Sequence, residues 1–516
     1  MKQISILNDV LGPVMRGPSS SHTAGSFHIG ALARDLLGDE PAAVTFAFDP
    51  GGSLAEVYDQ QGSDLGFAAG MMGWPITDER FSHALEMAAE RGLQITFVIE
   101  RLPEADHPNA VEIRMVSRGR RRLCVAAKSI GGGAVIFTRV AGWPVKLTGD
   151  AHETLVVVDE SAESAARQYL MQEGAVVGAL ERRIQEKQVL LHLRRCFPLK
   201  ADLQAKLESL PGVQEVWTAA PLFFARCGRP LFSCAAEMLA LAEERGHSLG
   251  QIGLAYEATL LGLTEEEVLD EIIHRFEVMQ AAVHRGLEQD IPPMQLLRPS
   301  AGRIYQAERT GRVAIGGLHT RAAARAMAVM HVNGGMGIVC AAPTAGSAGV
   351  IPGVVVTLVE EKSLNVEQAA LALLAASTVG FVVAERATFA AEVAGCQVEI
   401  SAAGAMAAAA VVEAAGGSPR QTMDAAAIFL QNTMGLICDL VQGVVELPCH
   451  TRNAVAASGA FVCADLALGG YVNPIPLDET VDAVYAVGQM LPRELKCIAL
   501  GGLSQAPSAL AMPRLR

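Results

Sequence analysis

The texture of the chain changes at about Ser233, and that change limits the architectures open to it. Beyond this point helical patterns succeed one another: Ala235 to Arg245, Gln251 to Leu261, Glu265 to Gly286, His319 to His331, Val366 to Thr388, Ala402 to Ala415 and Arg420 to Met434. Alanine and glycine are abundant there, aromatics are scarce, and Lys362 and Lys496 are the only lysines. Small residues let helices approach closely, so residues 233–516 read as a compact, mostly α-helical C-terminal domain. Residues 1–150 differ. Strand-like runs (Ala43 to Phe48, Leu93 to Ile99, Val111 to Val116) mix with amphipathic helices, one following His22 and one over Asp78 to Glu90, which predicts an α/β N-terminal domain. Between them, residues 151–222 read strand (Glu153 to Asp159), helix (residues 160–173), two strands (Val176 to Glu186, Val189 to Cys196), helix (Leu199 to Leu210), strand (Val213 to Thr218). A βαββαβ order of this length predicts a ferredoxin-like module, small enough for a regulatory or assembly role.

The chain is too long for one ordinary core, and its 51% hydrophobic and 19% charged residues imply extensive burial and subunit contacts. A homodimer is expected on that ground, since two-fold symmetry is the commonest assembly. A formal net charge of −14 without a basic stripe argues against nucleic acid as a partner. The start, MKQISILNDVLGP, lacks the basic and apolar regions of a signal peptide. The apolar run Ala369 to Ala384, bounded by Glu367 and Glu385, is shorter than the roughly 20 residues of a spanning helix. No membrane association and a cytoplasmic location are therefore expected. The ten cysteines then read as free thiols, core fillers or ligands rather than as a disulfide framework.

Two features carry chemistry. Gly17-Pro18-Ser19-Ser20-Ser21-His22-Thr23 precedes a helical pattern on Phe27, Ile29, Leu32 and Leu36, which puts four hydroxyls and an imidazole at a helix N-terminus. Free N–H groups and the dipole attract an anion there, so a carboxylate- or phosphate-binding loop is predicted, with one hydroxyl serving as the N-cap. The second feature is a set of glycine-flanked cysteines: Cys340 heading CAAPTAGSAGVIPG, Cys396 in AGCQVE and Cys438 in GLICD, with Cys449 following in ELPCH. Their long spacings match no short zinc or ferredoxin pattern, and buried core thiols would serve as well.

GPSSSHT, CAAPTAGSAGVIPG, AGCQVE with AMAAAA, GLICD, PCHTRNA and the terminal ALGGL, in this order, resemble the iron–sulfur-dependent L-serine dehydratases (L-serine ammonia-lyases). Residues 1–150 resemble the family's β part, the middle segment its ACT module, and 233–516 its α part, so the chain resembles a fused form. The resemblance implies a lyase that converts L-serine, a small-molecule amino-acid substrate, to pyruvate and ammonia. It also implies a [4Fe–4S] cluster held by three cysteines, assigned to Cys340, Cys396 and Cys438, with one iron open as a Lewis acid. Cys449 is the other candidate ligand. His22 would position groups or exchange protons. Ser19, Ser20, Ser21 and Thr23 would bind the substrate carboxylate, with Thr344, Ser347 and Gln61 also binding substrate. His28 reads as a surface or packing residue, and His331 as a supporting one.

The sequence departs from the family at three places. Gln61, in Asp59-Gln60-Gln61-Gly62-Ser63-Asp64, stands where a histidine is usual, and an amide cannot exchange a proton at neutral pH. His331-Val-Asn-Gly replaces Glu-Val-Asn-Ala, and Cys497 stands in the terminal motif, where it could approach the cluster. These leave room for a relative acting on another β-hydroxy or β-thio amino acid, or for an inactive amino-acid sensor. A pyridoxal-phosphate lyase would need a Schiff-base lysine, for which Lys128 before Gly131-Gly132-Gly133 is the single candidate.

Overall fold

The computed structural model describes residues 3–172, 176–288, 291 and 293–515. Three sheets and a helical body form it. Strand β1 (Val14–Arg16) stands apart from the first large sheet, which is built from β2 (Pro41–Phe48), β3 (Gln94–Ile99), β4 (Ala110–Ser117), β5 (Arg122–Gly131), β6 (Ala134–Val140) and β7 (Trp143–Leu147). Its order is β3-β2-β4-β5-β6-β7, with β2 and β3 parallel and every other pair antiparallel. Alternate residues of β4 and β5 are buried, and Ile113, Val125 and Phe137 meet Ile29, Leu32 and Leu36 of the helix Gly25–Leu37 in one core. The expected helix over Asp78 to Glu90 begins as a tight turn (Glu79–His83) capped by the Asp78 side chain and continues as a helix over Ala84–Glu90.

The middle module follows the expected order: β8 (His152–Asp159), a helix (Glu163–Leu170), β9 (Glu181–Gln185), β10 (Gln188–Arg195), a helix (Ala201–Glu208) and β11 (Val213–Ala219). The sheet order β11-β8-β10-β9, antiparallel throughout, is the ferredoxin-like arrangement. The end of the helix expected over residues 160–173 lies outside the described residues. The central strand β8 serves two cores. Leu155 and Val157 join the core of the first sheet, while Val156 and Val158 join the module's own helices. One correction concerns thiols: Cys196, at the end of β10, and Cys227, after β11, form a disulfide with Cα atoms 5.6 Å apart. The chain's return past β10 brings these two segments side by side, which sequence spacing did not reveal. The other eight cysteines are free.

The helical body holds two helices long and apolar enough to span a membrane, Val366–Arg386 and Cys396–Ala414, and 78% and 89% of their apolar windows are buried inside the protein. It also claims the start of the chain. Ile4, Ile6, Leu7, Val10, Leu11 and Met15 belong to its core, and Arg16 donates to the Thr77 and Asp78 carbonyls of the α/β unit, so residues 3–16 join the helical body to that unit. β1 pairs antiparallel with β12 (Ile338–Cys340), Val14 opposite Cys340. Glu257, fully buried, accepts the Ser5 hydroxyl at 2.5 Å and the Ile6 and Leu7 N–H groups at 2.8 and 2.9 Å. Arg226 joins Asp9 at 2.8 Å to Asp150 at 2.9 Å and so ties this segment to the start of the module. Glu257→Leu leaves three buried donors without a partner at about 1–3 kcal/mol each. The expected result is a loss of several kcal/mol, read as a lower urea midpoint at unchanged slope.

Candidate functional site

The polar run after Pro18 forms the helical turn Ser20–Ala24, which continues directly into the helix Gly25–Leu37. Ser19 is its N-cap, accepting the His22 N–H at 3.2 Å. The first N–H groups of the turn, on Ser20 and Ser21, have no acceptor within a helix that starts at Ser20. The loop is braced by the helical body. Gly17 donates to the Gly337 carbonyl at 3.1 Å, and the Asn333 side chain donates to the Pro18 carbonyl at 2.9 Å. A Cβ at Gly17 would lie 2.0 Å from the Asn333 carbonyl oxygen, so this contact requires glycine.

A narrow cavity of about 40 Å³ opens beside the loop. Ser19, Ser20 and Ser21 line one side, Gln61 and Thr344 another, and Cys438, Cys449 and Cys497 a third. Glu392 and Glu399 supply its charge, and among the described residues no lysine or arginine lines it. Gly131 and Gly132, after β5, also line it. Gln61, Glu392 and Cys497 are shared with an outer vestibule of about 650 Å³, whose wall includes Arg493 and Lys496.

The expected residues divide by placement. Ser19, Ser20, Ser21, Gln61, Thr344 and Cys438 meet at the cavity. His22 is buried behind it, with Nδ1 3.1 Å from the Ser21 hydroxyl and Nε2 2.9 Å from that of Ser53. Thr23 spends its hydroxyl on the Gln61 carbonyl at 2.7 Å, which fixes the Gln61 backbone, while the Gln61 amide donates to Gly443 at 2.8 Å. Ser347 is fully buried and bonds Thr344 at 3.0 Å, holding the loop rather than facing the cavity. Cys396 lies behind Glu399, its thiol 3.8 Å from that carboxylate, and is hydrogen-bonded to Cys438. Cys340 is not brought to this group. It ends β12, its thiol faces the Ala341 carbonyl at 3.6 Å, and its charged neighbours are Arg275 and Glu271. The reason is the β1–β12 pairing, which turns Cys340 into the helical core while the loop after it proceeds to the cavity.

The thiols that do converge are Cys396, Cys438, Cys449 and Cys497. The hydrogen bond with Cys438, then burial, pushes the Cys396 thiol well above its ordinary range. Burial and the charge on Cys396 do the same for Cys449. At Cys438 the bond from Cys396 acts downward, but the one with Cys497 and burial raise it overall. Such thiols give up their protons only to a strongly cationic group. Arg452, the nearby cation, is engaged by Asp439 at 2.9 Å.

The sequence reading passed over three elements of the site. Glu399 accepts the Thr344 hydroxyl at 2.5 Å and is pushed up to about 7 by burial. A Cβ on Gly346 would lie 2.3 Å from its Oε1, so that glycine makes room for the carboxylate. Glu392 accepts the Ser21 hydroxyl at 3.1 Å. Both carboxylates flank Cys396 in AEVAGCQVE, where the sequence alone assigns them no role. The Gly131-Gly132 turn, singled out in the sequence only as following Lys128, is the third. Lys128 beside it forms an ion pair with Asp106 at 2.6 Å and does not line the cavity.

Among the histidines, His28 packs inside, 2.7 Å from the Gly133 carbonyl, and His331 Nε2 accepts the Ser300 and Ala301 N–H groups at 3.1 and 3.2 Å. Burial holds His22, His28 and His331 down to about 4, against an ordinary 6.5. Between these values the unfolded chain binds protons that the folded one does not. Stability from this source is therefore complete above about pH 6.5 and falls as pH drops toward about 4. A urea midpoint lower at pH 5 than at pH 7, less so in His28→Gln, is the expected reading.

The family described as Serine dehydratase alpha chain matches residues 153–504. The probable L-serine dehydratase alpha chain of Bacillus subtilis (strain 168) is 40% identical over 278 residues, 54% of this chain and 93% of that protein. The probable beta chain of the same organism is 39% identical over 158 residues, 31% of this chain and 69% of that protein. L-serine dehydratase 1 of Escherichia coli (strain K12) is 30% identical over 282 residues, 53% of this chain and 61% of that protein.

Proposed function

This chain belongs to the L-serine dehydratase family, in the form that joins beta-chain and alpha-chain parts in one polypeptide, and from that premise we propose that it deaminates L-serine to pyruvate and ammonia. The observation that carries the proposal is the meeting of the Ser19–Ser21 turn, Thr344 and the thiols Cys438 and Cys449 around one cavity. The substrate carboxylate would sit on the Ser20 and Ser21 N–H groups at the positive end of the helix, with the serine hydroxyls completing its shell. His22 acts here as a positioning residue. It is neutral at pH 7 and holds the Ser21 and Ser53 hydroxyls from behind. The Cα proton needs an acceptor facing the cavity, and the Glu399 carboxylate, which lines it, has that capacity. Gln61, tied to Gly443, shapes the wall and transfers no proton.

A [4Fe–4S] cluster is part of the proposal, and the donor set fits it. Cys396, Cys438 and Cys449 would hold it, with Cys449 taking the place first assigned to Cys340. Among the described residues no three His, Cys, Asp or Glu side chains converge as ligands of a single metal ion. Thiolates that each serve a different iron need not share one centre. When bound, the cluster supplies a Lewis acid for the substrate hydroxyl.

The ferredoxin-like module supports an ACT-type regulatory role, the buried apolar helices support a cytoplasmic protein, and the exposed Val455, Val462 and Leu466 on one face of the helix Cys449–Leu468 support a homodimer. The test is anaerobic reconstitution with iron and sulfide, followed by spectrum, iron content, and ammonia and pyruvate release from L-serine. Broad absorbance near 400 nm with pyruvate formation is expected. Absorbance without turnover would point to another β-hydroxy or β-thio amino acid, and ligand binding without either would point to a sensor.

A further inference from the structure

We infer that Glu392 is the residue that selects an α-amino acid, by pairing with the substrate ammonium at the boundary between the vestibule and the inner cavity. The inference rests on the amino-acid-lyase reading above and adds the specificity-determining residue. Three observations carry it. The inner cavity is lined by two carboxylates, three thiols and several hydroxyls, with no lysine or arginine among the described residues, so its walls attract a cation. Of the two carboxylates, Glu399 lines the inner cavity alone and its Oε1 is held by the Thr344 hydroxyl. Glu392 accepts the Ser21 hydroxyl on Oε1, and among the described residues no hydrogen-bond donor meets its Oε2, which is left for an incoming N–H.

The third observation is position. Glu392 lies in the short helix Ala391–Ala394 and faces both chambers, while Arg493 and Lys496 line only the outer one. A zwitterion entering from the vestibule, whose wall carries Glu56 as well as Arg493 and Lys496, therefore passes to walls whose charged groups are carboxylates alone among the described residues. Its ammonium meets Glu392 as its carboxylate reaches the Ser20–Ser21 turn, and the Ser21 hydroxyl, bonded to Glu392, joins the two subsites. A hydroxy acid of the same size brings no positive charge to offset the desolvation of this carboxylate, and is rejected for that reason.

The experiment compares wild type, Glu392→Gln and Glu392→Asp, each reconstituted and checked for unchanged thermal unfolding. L-serine kinetics are measured alongside calorimetric binding of 3-hydroxypropionate, which lacks the amino group. Expected for E392Q is a KM for L-serine raised about 10- to 100-fold with a smaller change in kcat, partial recovery in E392D, and 3-hydroxypropionate binding retained or tightened. An E392Q enzyme with unchanged KM, or one that loses serine and 3-hydroxypropionate binding equally, overturns the inference. Wild type that turns over no amino acid overturns the functional reading itself, and this inference with it.

Discussion

Replacing Cys449 by alanine is expected to leave anaerobically reconstituted protein without iron–sulfur absorbance and without serine turnover, whereas Cys340→Ala keeps both. The contrast follows from placement. Cys449 lines the cavity beside Cys438, with Cys396 close enough to act on its charge. Cys340 is locked into β12 opposite Val14, among Arg275 and Glu271. Removing its sulfur from a filled core costs stability only, on the order of 1 kcal/mol for a group of that size. Iron content per chain and the visible spectrum read the first effect, and urea midpoints read the second. Absorbance surviving in C449A but lost in C340A would return the assignment to the one drawn from sequence.

His22→Ala is expected to lower kcat/KM for L-serine about 100-fold, the size of loss that a misplaced binding group produces. Its imidazole does not face the cavity. It holds Ser21 at 3.1 Å and Ser53 at 2.9 Å, one on each side, and Ser21 in turn holds Glu392. Without it the loop keeps its backbone bonds to Gly337 and Asn333, so the fold survives while the hydroxyls lose their direction. A positioning role predicts that His22→Asn, which can still bond a hydroxyl, recovers part of the loss and leaves the pH profile unmoved. A limb of the profile that disappears in H22N would instead make the imidazole a proton carrier.

Much of this was legible in the chain because it is local. The βαββαβ order of the middle module rests on alternation and helical period within single segments, and it holds strand for strand. The Ser19–Thr23 turn was readable for the same reason: a cap, free N–H groups and an apolar helix face lie within a few residues. What failed to show was convergence. Cys340 and Cys449 are both glycine- or proline-adjacent thiols in plausible motifs, and only the pairing of β12 with β1 sends one into the core while the other reaches the cavity. Glu392 and Glu399 did not stand out because nothing near them in sequence says that Thr344 and Ser21 arrive against them. The disulfide between Cys196 and Cys227 was hidden likewise, since it depends on how the chain passes β10 after leaving β11.

The embedding of residues 3–16 in the helical body also sets an order in time. Ser5 finds its acceptor 252 residues later, at Glu257, and β1 must wait for β12, close to residue 340. At about 5–20 residues per second, a growing chain exposes its earliest segment for tens of seconds before either partner exists. During that interval Ile6, Leu7, Val10 and Leu11 have no core to enter. The serine loop at residues 17–23 likewise lacks the Asn333 and Gly337 contacts that brace it. The substrate turn is thus among the first parts of the protein to be synthesised and among the last to take its working shape.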